Sequence, residues 1–161
     1  MRYAIGVGGN LGAVPETATR AARLLAEQGL PVVAQAPWWR TPALGPPQPD
    51  YWNSAWLVET ALGPHGLLQA LLRAESACGR TRLRRWGPRT LDLDLLLAED
   101  GRCVHSAVLT LPHPRLHERA FALLPLAAIA ADWVHPWLGL RVAELAAQIT
   151  RSTCAIAPAR P

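Results

Sequence analysis

Residues 91–97 read Leu-Asp-Leu-Asp-Leu-Leu-Leu. Side chains on a β-strand point alternately to opposite faces, so Leu91, Leu93 and Leu95 share one face and Asp92 and Asp94 the other. The leucine face demands a core. The two carboxylates, with Cα atoms roughly 6.6 Å apart, repel one another unless something positive lies between them. From the residues alone two readings stand: a solvated face on which nearby arginines pair off, or a magnesium site, since neighbouring carboxylates offer the hard oxygen ligands Mg²⁺ prefers. Two such ions about 3.5–4 Å apart would suit phosphoryl transfer. Taken alone, Asp-x-Asp is a weak motif.

The preceding residues, Arg80-Thr81-Arg82-Leu83-Arg84-Arg85-Trp86-Gly87-Pro88-Arg89, hold five of the sixteen arginines and no acid. Planar guanidinium forks grip phosphate oxygens in pairs. A solvated basic loop or a nucleic-acid patch would use the same composition. Acids beside phosphate-binding arginines are what a polyphosphate nucleotide with Mg²⁺ requires, whereas bare carboxylates would repel a phosphate backbone.

Further out, the chain alternates strand and helix. Tyr3–Gly8 reads as a buried strand entering a Gly-rich turn, and Pro15–Gln28 as a helix stopped by Gly29. Val32–Arg40 reads as a strand running until Pro42, and Asn53–Thr60 as a half-buried strand. Pro64–Cys78 carries proline near its start and Gly79 just past its end, the usual helix asymmetry. Pro114–Ala130 reads as mainly helical despite Pro125, and Val142–Ile149 as a short closing helix. Strand-helix-strand occurring twice predicts an α/β sandwich of the ferredoxin-like type, helices packed on a mostly antiparallel sheet. At 161 residues one domain is expected, over 1–150, with 151–161 as a tail.

Composition excludes several classes. Every basic side chain other than histidine is arginine, and no lysine occurs. A Walker-A loop, a protein kinase and a Schiff-base enzyme each need a lysine. Gly6-Val7-Gly8-Gly9-Asn10-Leu11 lacks the third glycine of a dinucleotide fingerprint. The longest apolar run, Ala120–Ala131, is short of the about 20 residues a bilayer needs. Three widely spaced cysteines make no disulfide framework, so a reducing, cytoplasmic setting is expected. A net charge of +4 and a pI near 9.6 keep an RNA-binding module of similar fold as the alternative. Such a module needs exposed aromatics on its central strands, where 91–97 offers acids and leucines.

Other segments are locally ambiguous. Asn53, opening a strand after Asp50-Tyr51-Trp52, could read a flat heterocycle with donor and acceptor, though a turn residue beside core aromatics is the simpler local reading. Trp38 and Trp39 divide between core and pocket rim. His113 and Arg119 flank a helix start that would attract anions. No established zinc spacing joins Cys103, His105, His113 and His117. His65, His105 and His135 read as surface or turn residues.

Together the stretches GGNLG (8–12), RTPALGPPQPDYWN (40–53), RWGPRTLDLDLLL (85–97) and LPHPRLHERAFALLPLAAIA (111–130) resemble the 6-hydroxymethyl-7,8-dihydropterin pyrophosphokinases of folate biosynthesis. The likeness spans nearly the whole chain up to about residue 150, and RWGPRTLDLD is highly specific. It implies transfer of the terminal diphosphate of ATP to the pterin hydroxymethyl group, releasing AMP, on a ferredoxin-like αβα sandwich. By position it implies that Asp92 and Asp94 hold two Mg²⁺ ions and that Arg80 and Arg89 are catalytic. Arg82, Arg85, Thr110, His113 and Arg119 would join Arg89 in binding ATP. Asn53 with the backbone of Thr41 and Leu44 would read the pterin edge, Tyr51 and Phe121 would sandwich its ring, and Trp86 would close over it. A cytoplasmic monomer without nucleic-acid or membrane partners is the expectation. Gly9 stands where the family usually has serine, a change a turn should tolerate.

Overall fold

The computed structural model describes residues 1–43, 46–79 and 88–152. Its main sheet contains β1 (Arg2–Gly9), β2 (Val32–Gln35), β4 (Tyr51–Glu59) and β5 (Asp92–Ala98) in the order β2-β4-β1-β5, and β3 (Trp39–Thr41) also pairs with β4. Every pairing is antiparallel. Helix α1 (Val14–Glu27) carries the chain from β1 to β2, and α2 (Pro64–Ala77) carries it from β4 to β5. In each unit a third strand lies between the two that the helix connects, the interlocked split βαβ arrangement of ferredoxin-like folds. Helices cover both faces, so the expected αβα sandwich is present.

One face is built from apolar spacing. Val14, Ala18, Ala21 and Leu25 line one side of α1, and Leu67, Ala70, Leu71 and Ala74 one side of α2. They pack on Tyr3, Ile5, Val7, Trp56, Val58, Leu91, Leu93 and Leu95. Each fully buried leucine or isoleucine here contributes roughly 1.5–3 kcal/mol. Gly29 (φ +75°) ends α1 in the left-handed region where other residues are strained. The opposite face takes α3 (Ala120–Ala130) and α4 (Val142–Ser152), which bury Leu123, Leu126, Val142 and Leu145 against Ala4, Ala55, Leu57 and Leu97.

Four readings of the sequence are corrected. The strand expected over 32–40 is two strands, because Pro37 has no N–H for the ladder; Ala36 still donates to Ala55 O at 2.8 Å before the break. β4 is not half-buried: Asn53 through Val58 are all buried, since helices roof both sides of this central strand. Its polar–apolar alternation therefore separates two covered faces rather than core from water. The helix expected from Pro114 begins only at Ala120, after a single 3-10 turn at Leu116–Glu118.

His135 is the fourth correction. It sits in β8 (Val134–His135), which pairs with β9 (Leu140–Arg141), and is 1% exposed. Its ring meets His117 and Trp137 edge-on at centroid distances of 6.1 and 5.7 Å, and neither ring nitrogen has a hydrogen-bond partner among the described residues. Burial, with a lesser push from His117, holds its pKa below the ordinary histidine value. An unfolded histidine takes up a proton near pH 6.5 that the native site resists, so the native state loses stability as pH falls below that value. His135→Leu is expected to be neutral or stabilising at pH 7.5 and clearly stabilising at pH 5.5. Urea midpoints at the two pH values check this; equal shifts at both would contradict it.

Candidate active site

The register of the sheet builds the site. Trp39 pairs with Asn53, Asn53 with Gly8, and Gly8 with Asp92, so these four lie in one row across β3, β4, β1 and β5. The next row runs Ala55, Gly6, Asp94. Cross-strand partners share a face, here the one turned toward α3. Asn53 and Asp92 are therefore about two strand spacings apart, roughly 10 Å. Only glycine lies between them. A Cβ at Gly8 would fall 3.0 Å from Asn53 Oδ1, and one at Gly6 would fall 3.3 Å from Leu96 Cδ1. The missing side chains leave room for the Asn53 amide over Gly8 and for the Leu96 side chain over Gly6.

At the acidic end, Asp92 has a side chain 15% exposed and its Oδ2 accepts from Arg89 Nη1 at 2.5 Å. Asp94 is open, with a side chain 54% exposed, and Arg119 Nη1 lies 4.0 Å from its Oδ2. His113 stands behind. Its Nδ1 accepts from the Arg115 amide at 3.1 Å, so in the neutral ring the proton resides on Nε2. Arg119 Nη1 is 3.4 Å from that Nε2. Two donors that close have one natural shared partner, an anionic oxygen. Burial chiefly, and then Arg119, hold His113 below the usual imidazole value, with Asp94 opposing. Burial likewise lowers Arg119, again opposed by Asp94. The hydrogen bond that Arg89 donates to the Asp92 carboxylate raises the arginine's pKa.

At the other end, Asn53 is 7% exposed and its Nδ2 donates to Thr41 Oγ1 at 2.9 Å. Tyr51, paired with Thr41, joins the two ends electrically: burial raises its phenol, while Arg89 lowers and Asp92 raises it. Phe121 is 40% exposed with the Arg119 guanidinium 5.7 Å over its ring. Thr110 lies in β7 (Thr110–Leu111), its Oγ1 3.5 Å from His105 Nδ1, beside β6 (Val104–His105). Thus Arg89, Asp92, Asp94, His113 and Arg119 converge, as do Thr41, Tyr51 and Asn53. Leu44, Arg80, Arg82, Arg85 and Trp86 lie outside the described residues.

Two contributors were not singled out from the sequence. Glu75, 1% exposed on the inner side of α2, accepts the Leu93 amide at 2.6 Å and so fixes the strand between the two aspartates. An acid at a core position of an amphipathic helix was the available sign. Asn10, 4% exposed, is the other, and GGNLG showed it only as a turn. Gly9 also needs correcting, for it ends β1 rather than sitting in a turn. A Cβ there would fall 2.7 Å from Thr90 O and 3.1 Å from Arg89 O, both backbone. Gly9→Ser should therefore displace Arg89, costing about 1–3 kcal/mol of stability and several-fold in turnover. Thermal unfolding and product formation at saturating substrate test it; unchanged values of both would contradict it.

Among the described residues no three His, Cys, Asp or Glu side chains converge as a protein-only metal cage. The donor set still fits magnesium. Two carboxylates lie on one strand face beside their glycine partners, one of them with a side chain 54% exposed, and Mg²⁺ commonly binds one or two carboxylates plus substrate phosphates. On that face β1 and β5 present Gly6, Gly8, Asp92 and Asp94 rather than the aromatics with which a sheet stacks RNA bases. A face that combines paired acids, convergent cations and, two strands away, a buried amide suits an enzyme handling a phosphorylated substrate beside a polar ring.

The comparisons agree. Residues 4–131 match the model of the family described as 7,8-dihydro-6-hydroxymethylpterin-pyrophosphokinase. A 2-amino-4-hydroxy-6-hydroxymethyldihydropteridine pyrophosphokinase of Synechocystis is 46% identical over 146 residues, 90% of this chain and 74% of the relative. Its namesake in Methylorubrum extorquens is 44% identical, covering 83% of this chain and 85% of the relative. A crystal structure of Plasmodium falciparum HPPK-DHPS with pteroate shares the fold, with a TM-score of 0.70 at 12% identity. It covers 93% of this chain, which spans less than half (42%) of that longer one. The chain belongs to the 7,8-dihydro-6-hydroxymethylpterin-pyrophosphokinase family and is a pyrophosphokinase.

Proposed function

We propose that the chain transfers the terminal diphosphate of ATP to the hydroxymethyl oxygen of 6-hydroxymethyl-7,8-dihydropterin, releasing AMP, through the residues gathered on this sheet face. The observation that carries the reading is the single row in which Asn53 and Asp92 flank Gly8. It gives one ligand a polar edge reader and the other an acid pair, with nothing between them.

Asn53, held by Thr41, offers donor and acceptor to the pterin edge, and Tyr51 and Phe121 offer ring faces. Asp92 and Asp94 would hold the two Mg²⁺ ions that accompany ATP, which when bound neutralise charge on the β- and γ-phosphate oxygens. Arg119 and the Nε2–H of His113 donate to a phosphate oxygen from one side, and Arg89 from the other. The hydroxymethyl oxygen forms its bond to the β-phosphorus, the bond from that phosphorus to the oxygen of the α-phosphate breaks, and AMP departs with that oxygen. The hydroxyl proton goes to solvent. Charge in such a transition state spreads over equatorial oxygens, so positioning and preorganised donors supply most of the acceleration.

The chain acts as one pyrophosphokinase domain that keeps the whole of α4, through Ser152, two residues past the boundary expected at 150, and works as a cytoplasmic monomer. No helix of the described residues is long and apolar enough to cross a membrane. Incubation with ATP, Mg²⁺ and the hydroxymethyldihydropterin should yield AMP and the pterin diphosphate in equal amounts. Folded protein giving no AMP above a blank would overturn the reading.

A further inference from the structure

His113 and Arg119, whose side chains meet at 3.4 Å, stand at the two ends of one short turn. The His113 carbonyl accepts the Leu116 amide at 3.0 Å, and the Leu116 carbonyl accepts the Arg119 amide at 3.2 Å. The 3-10 turn at Leu116–Glu118 therefore sets how the two phosphate donors face each other. Leu116, fully buried, anchors that turn in the core, and Glu118 accepts from Arg115 Nε at 3.0 Å. His117 meets the β8–β9 hairpin through the buried ring of His135, 6.1 Å away between centroids.

Packing alone does not call for an imidazole at 135. A phenylalanine would fill the space without leaving two ring nitrogens buried and unpaired among the described residues. What an imidazole adds is a proton, in a pH range where few other side chains change charge. The charged groups on the surrounding elements are His117 and Glu118 on the turn, Asp132 ahead of β8, Arg141 on β9 and Glu144 on α4. Of these only His117 acts electrostatically on the His135 ring; Glu118 Oε1 lies 3.8 Å from His117 Nε2, and Glu144 takes the Arg141 amide at 2.7 Å. The cover over the ring is thin, because Trp137 is 50% exposed and each hairpin strand is two residues long. A proton on His135 must be hydrated, and it repels positive charge on His117. Either response moves the hairpin and the turn apart.

We propose that His135 is a positioning residue for the Arg119–His113 pair, acting through His117, and that proton uptake at His135 loosens the pair and weakens its hold on a phosphate. The proposal rests on the pyrophosphokinase reading of this face. Burial holds native His135 below the ordinary histidine value, so the effect is absent at pH 8.0 and grows as pH falls below about 6.5. A nucleotide bound to the ordered pair in turn resists proton uptake at His135, because coupling between two sites is reciprocal. Protonation of His113 works in the opposite direction, since it adds positive charge beside the phosphate. The sign of the pH dependence thus separates the two histidines.

The test is calorimetric titration of the full chain with Mg²⁺ and α,β-methylene-ATP at pH 8.0 and 5.5, with circular dichroism checking the native fold at both. Comparison with His135→Phe at the same pH cancels ionisation of the nucleotide itself. The wild type should match that variant within about twofold at pH 8.0 and bind about fivefold or more weakly at pH 5.5. His117→Gln, at a side chain 37% exposed, should recover most of the affinity that the wild type loses at pH 5.5. This variant carries the test if His135→Phe fails to fold. Proton NMR of the His135 Cε1–H should show its titration displaced to lower pH when the nucleotide analogue is bound. Equal affinities of wild type and variants at pH 5.5, or a His135 titration that ignores the nucleotide, overturns the proposal and leaves the enzyme reading intact. No nucleotide binding by the wild type at either pH would instead remove the functional reading and this proposal with it.

Discussion

Asp94→Ala is expected to fold as the wild type does and to release AMP about 10³-fold more slowly, or not measurably. The two halves of that expectation come from the same geometry. With a side chain 54% exposed and Arg119 4.0 Å away, Asp94 contributes little to stability; exposed pairs are worth about 0–1 kcal/mol. Its neighbours Leu93 and Leu95 face the core and remain in place. The carboxylate matters for the charge it brings to the open face, where Arg119 and the Nε2–H of His113 would otherwise meet the phosphates without a metal. Circular dichroism and melting temperature check the fold, and AMP release at saturating Mg²⁺ checks the chemistry. Activity within tenfold of wild type would remove the metal role from Asp94.

The second large effect belongs to Arg89→Ala, for which turnover should fall about 10²–10³-fold. In the proposed mechanism Arg89 has two duties. Its guanidinium bonds Asp92 at 2.5 Å, holding that carboxylate in place, and it also feels the charge of Asp94. The stability cost should stay near about 1 kcal/mol, because the Arg89 side chain is 37% exposed and water screens the pair. Arg89→Lys should recover only a minor part of the rate, since an ammonium cannot bond a carboxylate and a phosphate through one planar fork. Full recovery by lysine would mean that charge alone suffices there. Retained turnover in Arg89→Ala would remove the arginine from the chemistry.

How legible the molecule was depends on how local each determinant is. The acid–leucine alternation of 91–97 is a statement about adjacent residues, and the strand, its two faces and the acid pair all followed from it. Helices α1 and α2 were equally local, being set by apolar spacing with glycine just beyond each end. Features that depend on what a distant segment brings were not readable. Burial of β4 on both sides needs α3 and α4 to arrive from far along the chain. His135 looks like a turn residue until His117 and Trp137 close around it. Glu75 and Asn10 look like an ordinary helix acid and a turn amide; their partners at Leu93, Arg89, Gln48 and Pro49 lie 18 to 79 positions away. The pairing of Asn53 with Gly8, and of Gly8 with Asp92, exists only in the register of the sheet.

Among the described residues β5 pairs with β1 on one flank only, which makes it the border of the main sheet. Unpaired amides and carbonyls on a border strand invite a strand from another molecule to dock and start aggregation. Here the outward Leu93 amide is taken by the Glu75 carboxylate at 2.6 Å, and the Leu96 carbonyl by the His113 amide at 2.8 Å. The two contacts that steady the acid-bearing strand thus also occupy polar groups on its open flank, and an exchange that freed the Glu75 contact is expected to trade turnover and solubility away together.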